Sequence, residues 1–206
     1  MTDFNERARD WDSDPMKIER AQTVAQALRQ QVALAGHWQA LEYGCGTGLL
    51  SFALQPYLGE ITLADSAPGM LEVLAAKIGR ANIQNMHPLL LDLEVDTAFS
   101  AQFDLIFSLM TLHHIQQVEP VLYHFYRLLN PGGWLCTADL DQEDGSFHPA
   151  GFSGHRGFER GALAEMLHTA GFVNLSFSTP YTILKRSDQG QRAYPLFLAA
   201  GQKPGV

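Results

Sequence analysis

Leu41-Glu42-Tyr43-Gly44-Cys45-Gly46-Thr47-Gly48 decides how this chain of 206 residues is read. A short apolar run enters the segment, three glycines follow at alternate positions, and a stretch of helical character leaves it. Residues without a Cβ at such a bend let the backbone turn sharply and let a ligand approach main-chain atoms. The free N–H groups at the start of the next helix then face that ligand. A glycine-rich turn can also be bare, so its surroundings decide what it is for.

Downstream of the turn, short apolar runs alternate with amphipathic ones. The pattern predicts strands at 38–43, 60–65, 89–92, 103–108 and 134–139, with helices at 47–57, 68–78 and 118–129. Asn130-Pro131-Gly132-Gly133 stops the last of these helices. Strands separated by helices imply right-handed crossovers and a parallel sheet covered on both faces. After a helix at 161–170, strands at 172–177 and 194–199 follow with only the polar stretch 185–192 between them. They are expected to pair as an antiparallel hairpin. Upstream, Ile18, Ala21, Ala25, Leu28 and Val32 recur at helical spacing over 16–35 behind Pro15. The polar stretch 8–14 reads as a loop or frayed arm in which Trp11 is out of place.

The expectation is one α/β domain over 1–206. It comprises an N-terminal arm and helix (1–35), a ligand-binding core (36–140), a cap loop (141–160) and a last helix with the hairpin (161–206). Hydrophobic residues make up 46% of the chain and charged residues 17%, enough apolar surface for a globular core. Cys45 and Cys136 form no paired spacing, which suggests neither a disulfide framework nor a zinc knuckle and fits a reducing, cytoplasmic setting. No signal peptide or membrane span is read from the sequence. The formal charge of −8 is uneven: residues 41–150 carry 13 acidic and 3 basic side chains, whereas 151–206 carry 3 and 6. An acidic core argues against a nucleic-acid substrate, which needs a clustered basic face. Six basic residues can still hold one phosphate or carboxylate of a small molecule.

Two acidic residues extend the reading of the turn. Asp65 ends the strand after it, where a carboxylate can accept from both ribose hydroxyls of a nucleoside cofactor. Asp92 ends the next strand and can accept from an adenine amino group. Three consecutive strand ends then carry chemistry suited to one ligand.

With Leu63-Ala64-Asp65-Ser66-Ala67-Pro68-Gly69-Met70, Leu91-Asp92-Leu93, Phe103-Asp104-Leu105-Ile106-Phe107-Ser108-Leu109-Met110-Thr111-Leu112-His113-His114 and Leu128-Leu129-Asn130-Pro131-Gly132-Gly133-Trp134 in order, the chain resembles the class I S-adenosylmethionine-dependent methyltransferases. It looks most like their small-molecule branch, which includes the ubiquinone/menaquinone methyltransferases. The resemblance implies a Rossmann-like seven-stranded sheet ordered 3-2-1-4-5-7-6 with strand 7 antiparallel, and S-adenosyl-L-methionine as cofactor. It also implies that Gly44, Cys45, Gly46 and Gly48 cradle the methionine part while Glu42 orients its amino group. Asp65, with Ser66 beside it, would hold the ribose, and Met70 would pack on the adenine. Asp92 and Leu93 would meet the adenine edge, and Ser108 and Leu109 would line the sulfonium. Arms like the one bearing Trp11 often fold over the cofactor in this family.

A nicotinamide dehydrogenase is the nearest competitor, but its fingerprint has glycines at relative positions 1, 3 and 6, whereas these stand at 1, 3 and 5. A non-catalytic cofactor-binding sensor or scaffold subunit is the alternative from another class. Methyl transfer needs a general base only where the acceptor must lose a proton. The candidates are His113, His114, His148 and His155. The segment Asp139-Leu140-Asp141-Gln142-Glu143-Asp144-Gly145-Ser146-Phe147-His148 gathers carboxylates and imidazoles at the ligand edge of the sheet. It reads as a substrate cap, with His148, His155 and Arg156 as acceptor contacts, rather than as a metal cage. No Asn/Asp-Pro-Pro-aromatic motif of amino-directed nucleic-acid methyltransferases follows the fourth strand, which removes that one class of acceptor and leaves the acceptor unidentified.

Overall fold

The computed structural model describes residues 4–187 and 190–205. Seven strands form one sheet in the order β3-β2-β1-β4-β5-β7-β6. They are β1 (Gln39–Tyr43), β2 (Glu60–Asp65), β3 (Met86–Leu90), β4 (Phe103–Leu109), β5 (Leu129–Leu140), β6 (Val173–Ser187) and β7 (Gly190–Gln202). The pairs from β3 through β5 are parallel, and β7 runs antiparallel to both β5 and β6. The expected order and the reversed last strand are both present.

Alternation along the central strands builds two cores. Leu105 and Phe107 of β4, with Leu198 and Ala200 of β7, face α2 (Pro15–Gln31), α3 (Leu49–Leu54) and α4 (Pro68–Ala81). Ile106, Phe197 and Ala199 face α5 (Val118–Leu128) and α6 (Arg160–Ala170). Burial on both faces explains why the strand sequences read as nearly continuous apolar runs.

Several boundaries differ from the sequence reading, each for a local reason. β3 runs over Met86–Leu90 rather than 89–92, because Pro88 is accommodated on the outermost strand, where its missing N–H breaks no central ladder. Asp92 therefore lies past the strand and opens a turn, its Oδ1 accepting the Glu94 amide at 3.0 Å. β5 begins at Leu129, which pairs with Phe103. Asn130–Gly133 then bulge before Trp134 meets Leu105, with Gly132 at φ 80°. Polar residues expected to form the connection from 185 to 192 continue the ladder instead, Lys185 opposite Arg192 and Ser187 opposite Gly190. The turn residues of that hairpin, Asp188 and Gln189, lie outside the described residues.

The stretch 8–14 is not a frayed arm. Phe4–Arg7 (α1) and a 3-10 turn over Ala8–Ser13 pack on α4, with Ala8, Ala67 and Met70 buried together beside Phe4 and Trp11. The helix expected over 16–35 is α2, capped by Asp14 and ending at Gln31 where Val32 turns extended. Among the described residues, no helix is long and apolar enough to cross a membrane.

Candidate active site

At the C-terminal ends of β1, β2 and β4, the chain surrounds a cavity of about 700 Å³, within the range of roughly 300–1,000 Å³ typical of small-molecule sites. The glycine turn forms one wall. Gly44, Gly46 and Gly48 all have positive φ, 69°, 52° and 81°, which disfavours any side chain there. A Cβ on Gly44 would lie 2.2 Å from the Thr111 Cγ2, and one on Gly48 2.6 Å from Leu74 Cδ1. At Gly46 the nearest atoms, Met70 Sδ and Trp11 Nε1, are 3.9 Å away, so the turn is open toward the cavity there.

Two carboxylates stand behind and beside the turn. Asp65 accepts the Gly46 amide at 2.7 Å and the Ala67 amide at 2.8 Å. Burial raises its pKa above the usual carboxylate range against the pull of those amides. Glu42 is 2% exposed. Its Oε2 accepts from the amide and hydroxyl of Ser51, and among the described residues no cationic side chain lies within 4 Å of it. Burial pushes its pKa up to about 8. A buried carboxyl lining a cavity without a cation suits a ligand that brings an ammonium. Ser66, Met70 and Asp92 also line this side, as do Cys45 and Leu109.

Three of the expected cofactor contacts face elsewhere. Gly48 is not part of the cavity lining and packs against Leu74 and Leu63 instead. Ser108 lies within β4 rather than past its end, is buried, and shares a 2.9 Å hydrogen bond with the Thr137 hydroxyl. Leu93 is buried and its amide donates to the Tyr43 hydroxyl at 3.0 Å. Neither lines the cavity.

The N-terminal arm closes the site over the turn. Trp11 and Phe4 line the cavity, and Asp12 anchors the arm. Its carboxylate accepts from the Thr47 hydroxyl and pairs with Lys77 Nζ at 2.6 Å, and Lys77 also donates to the Thr47 carbonyl at 2.7 Å. Sequence reading missed Asp12 and Lys77, since nothing in a polar arm says which acid will reach a lysine 65 residues away.

The opposite wall carries the imidazoles. His113, His114 and His148 all line the cavity, with ring centroids 4.0 Å apart for the first pair and 5.1 Å for His113 and His148. His113 Nδ1 lies 2.6 Å from Oδ1 of Asp139, at the end of β5. That carboxylate also accepts the amides of His113 at 3.2 Å and Leu140 at 2.7 Å. Asp139 is fully buried. Burial would raise its pKa, but the His113 interaction and the amides outweigh burial and hold it below the usual range. An imidazole that donates from Nδ1 presents a lone pair on Nε2. The Nε2 of His113 is buried and, among the described residues, has no hydrogen-bond partner. Burial lowers the pKa of His114 to about 3 and of His148 to about 4, so both are neutral near pH 7.

His155 does not line the cavity. Its amide donates to the His113 carbonyl at 2.8 Å and its ring packs on Phe158, so it braces the cap. Arg156 is likewise outside the cavity, against Gly145. Only Phe147, His148 and Pro149 of the cap loop reach the cavity, joined by Tyr181, Ile183, Leu184 and Lys185 of β6. Among the described residues, no three His, Cys, Asp or Glu side chains are grouped to hold a metal.

The strand order, the reversed β7 and a cavity opened by a glycine turn define a class I methyltransferase fold rather than a dinucleotide-binding one, whose order is 3-2-1-4-5-6. The chain belongs to the class I S-adenosylmethionine-dependent methyltransferases, whose cofactor is S-adenosyl-L-methionine. A methyltransferase-domain family model matches residues 41–135. An uncharacterized methyltransferase of Schizosaccharomyces pombe is 31% identical over 192 residues, which is 79% of this chain and 66% of that protein. A ubiquinone biosynthesis O-methyltransferase of Coxiella burnetii is 26% identical over 69% of this chain and 62% of that one. The chain thus spans no more than about two thirds of either relative. The fold is shared with a Haemonchus contortus phosphoethanolamine N-methyltransferase solved with S-adenosyl-L-methionine, with a TM-score of 0.71 at 13% identity. That match covers 99% of this chain and 60% of the other.

Proposed function

We propose that the protein transfers a methyl group from S-adenosylmethionine to a small-molecule acceptor, with His113 taking the acceptor's proton. One observation carries this reading. A single cavity is lined on one side by Glu42, Gly46, Asp65 and Met70, and on the other by an imidazole that Asp139 orients and whose Nε2 is unpaired.

When bound, S-adenosylmethionine supplies an electrophilic methyl group for in-line transfer to a nucleophile. Glu42 would accept from its ammonium, Asp65 from the ribose hydroxyls, and Asp92 from the adenine amino group, with Met70 against the ring. Phe4 and Trp11 exclude water from above the glycine turn. Asp139 fixes the tautomer of His113, and Nε2 receives the proton the acceptor gives up. A sensor or scaffold that only bound the cofactor would have no use for a buried, oriented imidazole with a vacant lone pair.

Thermal unfolding with ligand tests the donor half. S-adenosylhomocysteine at 100 times its dissociation constant stabilises by about 2.7 kcal/mol, and Asp65→Ala abolishes that shift while leaving the unliganded protein folded. Turnover of methyl-labelled cofactor with phenols, quinols and amines tests the acceptor half. Stabilisation by a nicotinamide dinucleotide instead of S-adenosylhomocysteine would overturn the reading.

A further inference from the structure

Apart from Asp14, which caps α2, the acidic groups of the cavity are at the ends of β1 and β2 and in the turn after β3, but its other elements present cations. Arg7 on α1, Lys17 and Arg20 on α2 and Lys185 on β6 all line it. Among the described residues, none of these four has a carboxylate within 4 Å. Their ordinary partners are absent or otherwise engaged. Lys17 sits 3.7 Å over the Trp11 ring and Lys185 3.5 Å over the Phe147 ring, the latter donating to the Phe147 carbonyl at 2.6 Å. Asp14 caps α2 through the Met16 amide at 3.0 Å. Glu143 accepts the amides of Gly145 and Phe147 at 2.8 and 3.0 Å, and Asp139 is held by His113.

Arg20 is the most exposed to this imbalance. Among the described residues its buried Nε has no hydrogen-bond partner, and a guanidinium cannot shed its charge to escape burial as a lysine can. An unpaired, partly buried cation is costly, and a ligand anion that accepts from it reduces the cost. Glu19, the neighbour of Arg20, accepts from the Tyr181 hydroxyl of β6 at 3.3 Å, and Lys185 donates to the carbonyl of Phe147, next to His148. This places the pair where α2, β6 and the cap loop meet at the cavity.

We propose that the methyl acceptor carries an oxyanion, a carboxylate or a phosphate, and that Arg20 and Lys185 receive it and so present the acceptor's nucleophile to His113. This rests on the methyltransferase reading for the acceptor's role, and the basic wall itself is independent of that reading. The planar fork of Arg20 suits both oxyanions, because each offers two acceptor oxygens at matching spacing.

Calorimetric titration of the full chain, saturated with S-adenosylhomocysteine, with benzoate, phenyl phosphate and neutral benzamide provides the test. One of the two anions binds at least tenfold more tightly than benzamide, and which one it is distinguishes carboxylate from phosphate. Arg20→Met weakens that anion at least tenfold and leaves S-adenosylhomocysteine affinity within twofold, and Lys185→Met does the same more weakly. Equal binding of benzamide, or no binding of either anion, overturns the proposal. So does an Arg20→Met variant that loses S-adenosylhomocysteine affinity while retaining the anion, since the cations would then serve the cofactor's own carboxylate. Should S-adenosylhomocysteine itself fail to bind, the methyltransferase reading fails. The same titrations on the free protein then decide the anion site separately.

Discussion

Glu42→Gln separates the cost of the glycine turn's buried acid from its use. Glu42 is buried and its pKa stands at about 8 in the folded chain, against roughly 4.3 for a glutamate in an unfolded one. Between those values the folded state holds a proton that the unfolded state has released. The stability contributed by this group is therefore complete below the unfolded value and falls as pH rises through the window. The slope is about 1.4 kcal/mol per pH unit, which amounts to a cost of about 4 kcal/mol at pH 7. Glutamine keeps the shape and an oxygen for Ser51 but has no proton to lose. Unliganded Glu42→Gln should be the more stable protein at pH 7, by up to about 4 kcal/mol or roughly 8–16 °C in melting temperature. Its stability should lose this slope between pH 5 and 8.

The same substitution should weaken S-adenosylhomocysteine about 10- to 100-fold, since a hydrogen bond to a charged group contributes roughly 1.5–3 kcal/mol. Near pH 6 the wild-type protein should release close to one proton on binding, as the ligand's ammonium draws Glu42 into its ionised form. Calorimetry in buffers of different ionisation enthalpy measures that proton, and denaturant melts from pH 5 to 8 measure the slope. A variant with unchanged slope and unchanged ligand affinity would refute both the buried-acid argument and the assignment of Glu42 to the ammonium.

Three other perturbations probe the remaining parts. Asp139→Asn removes the group that fixes His113, so kcat for an O–H or N–H acceptor should fall about 10²- to 10⁴-fold while S-adenosylhomocysteine affinity holds; unchanged kcat would sink the proton-acceptor role. Lys77→Met unfastens Asp12 from the turn, and surface plasmon resonance should show S-adenosylhomocysteine dissociating several-fold faster, with the arm cut sooner by trypsin at Arg7 or Arg9. Gly44→Ala forces a Cβ onto Thr111 at a φ of 69° and should cost roughly 2–4 kcal/mol in urea melts. The double variant with Thr111→Ala should recover part of that loss, whereas strict additivity would place the whole penalty in the backbone.

Residues whose role is set by nearby chain were legible from sequence. Gly44, Gly46 and Gly48 read as a strand-to-helix turn because left-handed backbone leaves a compositional trace, and Asp65 read as a strand-end acid because period-two alternation stops there. The reversed β7 was legible because no helix separates it from β6. Polarity misled where pairing rather than burial makes the strand: Lys185-Arg186 opposite Gln191-Arg192 lie in a ladder that projects past the core. It misled again at 8–14, where tertiary contacts on α4 order a polar segment with little intrinsic tendency to fold. The role of Asp139 depends on a partner 26 residues earlier on another strand's exit. Ser108 shows the opposite failure, since a strand one residue longer than expected turns its hydroxyl from the ligand edge to Thr137.

The matched family segment ends at residue 135, and this boundary separates two kinds of information. Glu42, Gly46, Asp65, Met70 and Asp92, which line the cavity and would hold the cofactor in the proposed reading, lie inside it, as does His113. Arg20, Asp139, His148 and Lys185, which would orient His113 and hold the acceptor, lie outside it. They are brought to the cavity by the N-terminal helices, the end of β5, the cap loop and the hairpin. Although α2, β5 and β7 also build the two cores, these four side chains are not part of either buried cluster. A substitution at Arg20 or Lys185 should therefore change anion binding while leaving the two cores intact. The proposed acceptor wall therefore has to be read from the charges lining the cavity rather than from the matched segment.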